Sequence, residues 1–137
     1  APSVAPDSPL ADRLLRHVGE HGTDTSHLER SAAFAEVRCA PVRAGEVLVA
    51  AGSPPAFVYI PLGTGLTVHP TGGYPPAPLH PWVPVGLTGA VRRASRNGEI
   101  VADRDVEVVM VPSEEFVTGW LRPLRARQLA ELLTRRA

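Results

Sequence analysis

Residues 85–102 read Val85-Gly86-Leu87-Thr88-Gly89-Ala90-Val91-Arg92-Arg93-Ala94-Ser95-Arg96-Asn97-Gly98-Glu99-Ile100-Val101-Ala102. This stretch joins two candidate strands, Trp82–Val85 and Glu99–Ala102, through a segment with no strand pattern. Gly86 and Gly89 either permit a turn or leave backbone amides open to an anion. Arg92, Arg93 and Arg96 form a small basic cluster, which is either a solvated face or an attractor of anions. Arg96 could hold a phosphate by charge-assisted hydrogen bonds, or bridge a carboxylate such as Glu99 or Asp103.

On both sides of this stretch the chain reads as short strands. Upstream they are Ala35–Val42, Val47–Ala51, Phe57–Leu62 and Gly65–His69; downstream follows Glu107–Val111. Turn residues separate them at Ala44-Gly45-Glu46, Gly52-Ser53-Pro54-Pro55, Gly63-Thr64-Gly65 and Thr71-Gly72-Gly73. Short strands at regular spacing predict a sandwich or barrel. Tyr74–Pro84 is too rich in proline for a central strand and is expected as an ordered extended loop.

Helices are expected at both ends. Residues 1–8 read as a proline-rich linker. Asp7 or Ser8 can cap a helix carrying Leu10, Leu14 and Val18 on one stripe, with Gly19 or Gly22 as its stop. A second short helix is expected to begin near Thr25 or Ser26; Ser26 and Glu29 have capping-box spacing, with Leu28 and Phe34 facing inward. After the strands, Ser113 is expected to cap a helix in which Phe116 and Trp120 point inward. A final helix, Leu124–Arg136, follows Pro123. The expected division is therefore 1–8 linker, 9–34 helices, 35–112 β region and 113–137 helices.

Composition narrows the function. The 137 residues fit one domain, and 44% hydrophobic content argues against bulk disorder. Fourteen arginines with no lysine balance 14 acids, so the basic excess of a general nucleic-acid binder is missing. The single cysteine, Cys39, excludes an internal disulfide framework and a cysteine-ligated metal cluster within one chain. Cys39 is expected as a small buried strand residue. His17 and His21 stand four apart, but no acid joins them with ligand spacing, so no metal site is expected. No residues assemble a nucleophile, base and oxyanion donor, so the chain is not expected to be an enzyme. No long apolar run predicts a membrane span. The opening Ala-Pro-Ser, with Met110 as sole methionine, predicts a segment of a longer protein. Abundant arginine and alanine without lysine suggest a GC-rich, bacterial genome. No signal peptide or lipidation motif is read in the sequence, and a cytoplasmic setting is expected.

Three stretches resemble the cyclic-nucleotide-binding domain of the catabolite-activator and protein-kinase-regulatory type. They are Gly45-Glu46-Val47-Leu48 followed by Gly52-Ser53-Pro54-Pro55, Phe57-Val58-Tyr59-Ile60-Pro61-Leu62-Gly63, and the cassette-like 85–102. The resemblance spans roughly residues 26–122. It implies a mainly β, eight-stranded β-roll (a double-stranded jelly roll) with short flanking helices. It also implies a phosphate site built from Gly86, Leu87, Thr88, Gly89, Arg96 and Asn97, with a short helix over Thr88–Val91. The ligand implied is cyclic AMP or cyclic GMP.

The chain departs from the family at Leu87, which aligns with the glutamate that holds the ribose 2′-hydroxyl. An unpaired hydroxyl there costs about 1–3 kcal/mol. Pro61 places its strand at an edge or irregularity. The inserted domain of some encapsulin-type shell proteins is similar at Tyr59–Gly63, Gly72–Tyr74, Pro81–Trp82 and Arg96–Asn97. The expected function is a regulatory module binding a cyclic nucleotide or related phosphorylated molecule, with Leu124–Arg136 closing over the base. The alternatives are a ligand-free structural or interaction domain, such as a shell-protein insert, and the sensor of a transcription regulator. Expected partners are a small nucleotide and the parent protein's other domains or further copies; nucleic acid and membrane are not expected.

Overall fold

The strands divide between two antiparallel sheets, and the first four in chain order alternate between them. The computed structural model describes residues 2–20, 29–86 and 96–120. Helix α1 is Pro9–Glu20 and α2 is Arg30–Ala33. The strands are β1 (Arg38–Val42), β2 (Val47–Val49), β3 (Phe57–Pro61), β4 (Leu66–Pro70), β5 (Ala77–Pro78), β6 (Gly98–Ala102) and β7 (Val106–Pro112). A one-turn helix, Ser113–Glu115, runs into a π-helical turn, Phe116–Trp120. One sheet has the order β1-β7-β3 and the other β2-β6-β4-β5. Among the described residues there are thus seven strands of the eight that the resemblance implies.

Alternation along β7 explains how one strand serves two cores. Val109 and Val111 point toward the helices, where they meet Leu14, Val18, Phe34, Phe116 and Trp120. Val106 and Val108 point the other way, toward Leu66, Val85, Ile100 and Ala102 of the second layer. β3 alternates in the same manner. Val58 and Ile60 join the helical core, and Tyr59 packs against the inter-sheet core. A period of two therefore sends Tyr59 between the sheets.

The helices follow their caps. The Ser8 hydroxyl accepts the Ala11 N–H at 3.2 Å and fixes the start of α1. The buried stripe is Ala11, Leu14 and Val18, with Leu10 only partly covered. The helix runs through Gly19 to Glu20, so Gly19 is not its stop. Glu29 itself caps α2: its carboxylate accepts Ser31 N–H at 3.2 Å and Ala32 N–H at 2.9 Å. That corrects its expected place inside a capping box. Thr25, Ser26 and Leu28 lie outside the described residues, but Phe34 is buried as expected. Ser113 does not cap. Pro112 occupies the cap position, and the Ser113 hydroxyl is buried without a hydrogen-bond partner among the described residues. The Leu124–Arg136 segment lies outside the described residues.

Two further expectations are corrected. Trp82–Val85 is not a strand. Trp82 has φ 67°, a conformation foreign to strands, and only Val85 makes an isolated bridge, to Tyr59. Within the expected loop, Ala77–Pro78 pairs with β4. Leu79 donates its N–H to the Leu66 carbonyl at 2.9 Å, so the alternate residue, Pro78, faces the free edge. A proline there offers no donor to a passing strand. Pro61 ends β3, an edge strand, as expected. Among the described residues no helix is long and apolar enough to cross a membrane.

Cys39 is half-buried on β1, not fully buried, and its thiol lies 3.3 Å from a Glu107 carboxylate oxygen. Burial first, then Glu107, pushes the thiol up to about 11. The nucleophilic thiolate is therefore scarce near neutrality. Alkylation of the native protein by iodoacetamide at neutral pH is expected to run at least tenfold slower than in the denatured chain. Equal rates by mass spectrometry would contradict that environment.

Candidate functional site

Arg96 sits where the chain enters β6, and its main chain is tied to the turn after β2. Its N–H donates to Ser53 O at 2.9 Å, and its carbonyl accepts the Gly52 N–H at 2.8 Å. Gly52 has φ 81°, which glycine alone adopts cheaply. From this anchor the side chain reaches back to the other sheet.

The guanidinium is held by main-chain oxygens. Nη1 donates to Gly86 O at 3.0 Å, and Nη2 donates to Phe57 O. Its central carbon lies 6.0 Å from the centre of the Tyr59 ring, within cation–π range. Gly86 reaches this place because Tyr59 and Val85 exchange two backbone hydrogen bonds, of 3.0 and 2.7 Å. Gly86 has φ 91°, and a Cβ there would lie 2.4 Å from Arg96 Nη1. The glycine is therefore what lets the arginine in.

No carboxylate among the described residues pairs with this charge. Neither Glu99 nor Asp103 takes the bridging role that the sequence left open. Asp103 instead accepts a hydrogen bond from the Thr67 hydroxyl. Burial lowers the Arg96 pKa, with a smaller opposing effect from Tyr59. Burial raises Tyr59 in turn, and Arg96 partly offsets it. Arginine keeps its proton regardless, so the site holds a half-buried, permanent positive charge. A guanidinium has five N–H donors, and the two carbonyls leave further ones for a ligand.

Of the expected site residues, the structure brings Gly86 and Arg96 together. Asn97 follows directly but is exposed in a bend. Leu87, Thr88 and Gly89 lie outside the described residues, as do Arg92 and Arg93. Phe57 was not anticipated as a contact, since its contribution is a carbonyl that any residue carries. Tyr59, quoted above within the stretch Phe57–Gly63, is adjacent to the charge. Trp82 goes with the helices instead: His17 stacks on it at 4.7 Å and the Arg13 guanidinium lies 4.3 Å from its ring centre. Among the described residues no group of metal-ligating side chains assembles; His21 lies outside them.

A separate open cleft of about 540 Å³ is lined by Arg43, Leu62, Thr64, Asp105 and Glu107, among others. It shares no residue with the surroundings of Arg96. Asp105 already accepts the Ala44 N–H, and Glu107 the Cys39 thiol, so both carboxylates are partly engaged.

The comparisons bear on this geometry through shape. The regulatory domain of Toxoplasma gondii PKA bound to cAMP superposes with TM-score 0.66 at 20% identity, over 91% of this chain and 47% of that one. A cyclic nucleotide-binding-like protein from Brucella abortus matches with TM-score 0.62 at 22% identity, over 77% of this chain and 96% of its own. A cAMP-binding acyltransferase from Mycobacterium smegmatis matches with TM-score 0.60 at 19% identity, over 87% of this chain and 40% of that one. The fold is the cyclic-nucleotide-binding β-roll. No protein-family model and no curated protein sequence matches the chain. The chain spans 54%, 40% and 56% of the lengths of three of the solved structures that it matches.

Proposed function

We propose that this β-roll is a non-enzymatic regulatory module that binds a cyclic nucleotide, or a related phosphorylated small molecule, through Arg96. One observation carries the reading: a half-buried guanidinium that no carboxylate among the described residues neutralises, seated between two carbonyls at Gly86 and Phe57. A buried charge is costly without a counter-charge, and a phosphate supplies one. A phosphodiester carries one negative charge and matches one arginine. A phosphomonoester carries about two near neutrality and would leave one unmatched. The likeness to the Toxoplasma regulatory domain with cAMP supports the cyclic nucleotide as first choice. The cassette amides near Thr88–Val91 would complete the phosphate contacts, and Leu124–Arg136 would close over the base and pass the signal on.

Leu87 favours a second reading, a structural or interaction domain with no nucleotide, for which an encapsulin-type shell insert is the concrete case. One titration separates the two. Calorimetry with cyclic AMP and cyclic GMP is expected to give saturable binding by the wild-type domain. Arg96→Lys keeps the charge but loses the planar fork, and is expected to weaken binding at least tenfold. Absence of heat and of thermal stabilisation at saturating ligand would sink the nucleotide reading and leave the scaffold.

A further inference from the structure

Asn97 directly follows Arg96 and Gly98 opens β6, and their environment is unusual in two respects. The Asn97 side chain is exposed, and nothing among the described residues hydrogen-bonds its amide. Its main-chain carbonyl is held hard: Thr71 donates both its N–H, at 2.9 Å, and its Oγ–H, at 2.8 Å, to that oxygen. Gly98 is fixed as glycine by the neighbouring strand. A Cβ there would stand 3.1 Å from Pro70 Cα and 3.2 Å from His69 O. The residue after Asn97 thus has no side chain to hinder attack by its own nitrogen on the Asn97 amide carbon.

We propose that Asn97 is a site of spontaneous deamidation, promoted by the Thr71 clamp on its carbonyl oxygen, and that the carboxylate formed weakens anion binding at Arg96. The Gly98 nitrogen gives its proton to solvent base and attacks Asn97 Cγ. The Gly98 N–Cγ bond forms, the Cγ–Nδ2 bond breaks, and ammonia leaves with a proton from water. Water then opens the succinimide. Cleavage of the Gly98 N–Cγ bond gives aspartate, and cleavage of the bond from Gly98 N to the Asn97 carbonyl carbon gives isoaspartate. The net change is amide plus water to carboxylate plus ammonium, with no oxidant or cofactor.

The clamp acts on the first step. A deprotonated peptide carries its negative charge largely on the carbonyl oxygen, and here two donors already point at that atom. Donors placed where charge develops lower the barrier. In isoaspartate the same oxygen belongs to the free carboxylate. Either product puts a negative charge one residue from Arg96, where it competes with a ligand phosphate. This consequence rests on the anion-binding reading; the chemistry at Asn97 does not.

The test follows the folded protein by peptide mass and by isoaspartyl methyltransferase labelling. Acid and isoaspartate are expected to appear at position 97, at a rate rising with hydroxide. Thr71→Val should slow the reaction roughly fivefold, the rate equivalent of one hydrogen bond, and Thr71→Ser should restore it. No acid at position 97 after the denatured chain has fully converted would overturn the site. An unchanged rate in folded Thr71→Val would overturn the clamp; should that variant not fold, Thr71→Ala decides by the same criterion. Asn97→Asp, which fixes the charge of one product, is expected to bind cyclic AMP about tenfold more weakly than wild type, and equal affinity overturns the regulatory effect. If wild type itself binds no cyclic AMP, the functional reading fails while the mass result still judges the modification.

Discussion

Replacing Trp120 with alanine is expected to lower stability by about 3–5 kcal/mol, the largest single effect in this domain. Trp120 is fully buried and closes the helical core from one side. Its ring stacks on Phe116 at 5.4 Å and meets Phe34 edge-on at 5.4 Å. Its indole N–H donates to the Ala33 carbonyl at 3.4 Å, a long bond that contributes little beside the packing. Alanine would leave a dry cavity beside Phe34, Phe116 and Ala33, because a close-packed core collapses only partly around a lost ring. Native domains are stable by only about 5–15 kcal/mol, so the loss would take a large share of the margin. Urea unfolding checks it. Trp120→Phe keeps most of the ring and should cost about 1–2 kcal/mol. Equal midpoints for Trp120→Ala and wild type would show that this turn does not close the core.

The strands that carry the core were legible because burial imposes a period. Val58, Ile60, Val109 and Val111 alternate as the pattern demands, and each lies on the helical side. The boundaries failed where a local conformation outweighed composition. Trp82-Val83-Pro84-Val85 is rich in strand formers, yet Trp82 adopts φ 67° and donates its N–H to Pro61 O at 2.7 Å. A bulky residue in that region costs roughly 1–3 kcal/mol, which stacking by His17 and Arg13 offsets. No local rule announces such a contact from α1, which is more than sixty residues away in the chain. Glu29 illustrates the reverse. Its spacing from Ser26 suggested a supporting role, but its own carboxylate reaches two free amides.

The site was legible to a different depth. Arg96 and Gly86 were paired through the family resemblance, and the structure puts them in contact. The resemblance could not say what else would hold the arginine. That role falls to Phe57 O, an atom with no sequence signature. Tyr59 was half-legible: alternation puts it opposite Val58 and Ile60, hence between the sheets, but only the structure sets its ring near the charge. The reason for Gly98 was also hidden. It is the close approach of β4 rather than a turn.

Gly86→Ala is the substitution expected to weaken anion binding most without replacing the arginine. Two costs combine. The first is conformational: φ 91° is foreign to alanine, and left-handed backbone costs about 1–2 kcal/mol for an L-residue. The second is steric. The new methyl would stand 2.4 Å from Nη1 and 3.0 Å from the central guanidinium carbon. Because these atoms end a flexible side chain, the clash is relieved by moving Arg96 rather than by breaking the fold. Stability should therefore fall by no more than about 3 kcal/mol, the sum of the backbone strain and one lost hydrogen bond. The arginine would lose its Gly86 contact and its position over Tyr59 together. A phosphate held by a displaced fork loses its bidentate geometry, so affinity for cyclic AMP should drop about a hundredfold or more. Calorimetry beside a denaturation curve separates the two effects. A folded Gly86→Ala protein that binds as wild type would mean that the anion, if bound, is not held by Arg96 in this seat.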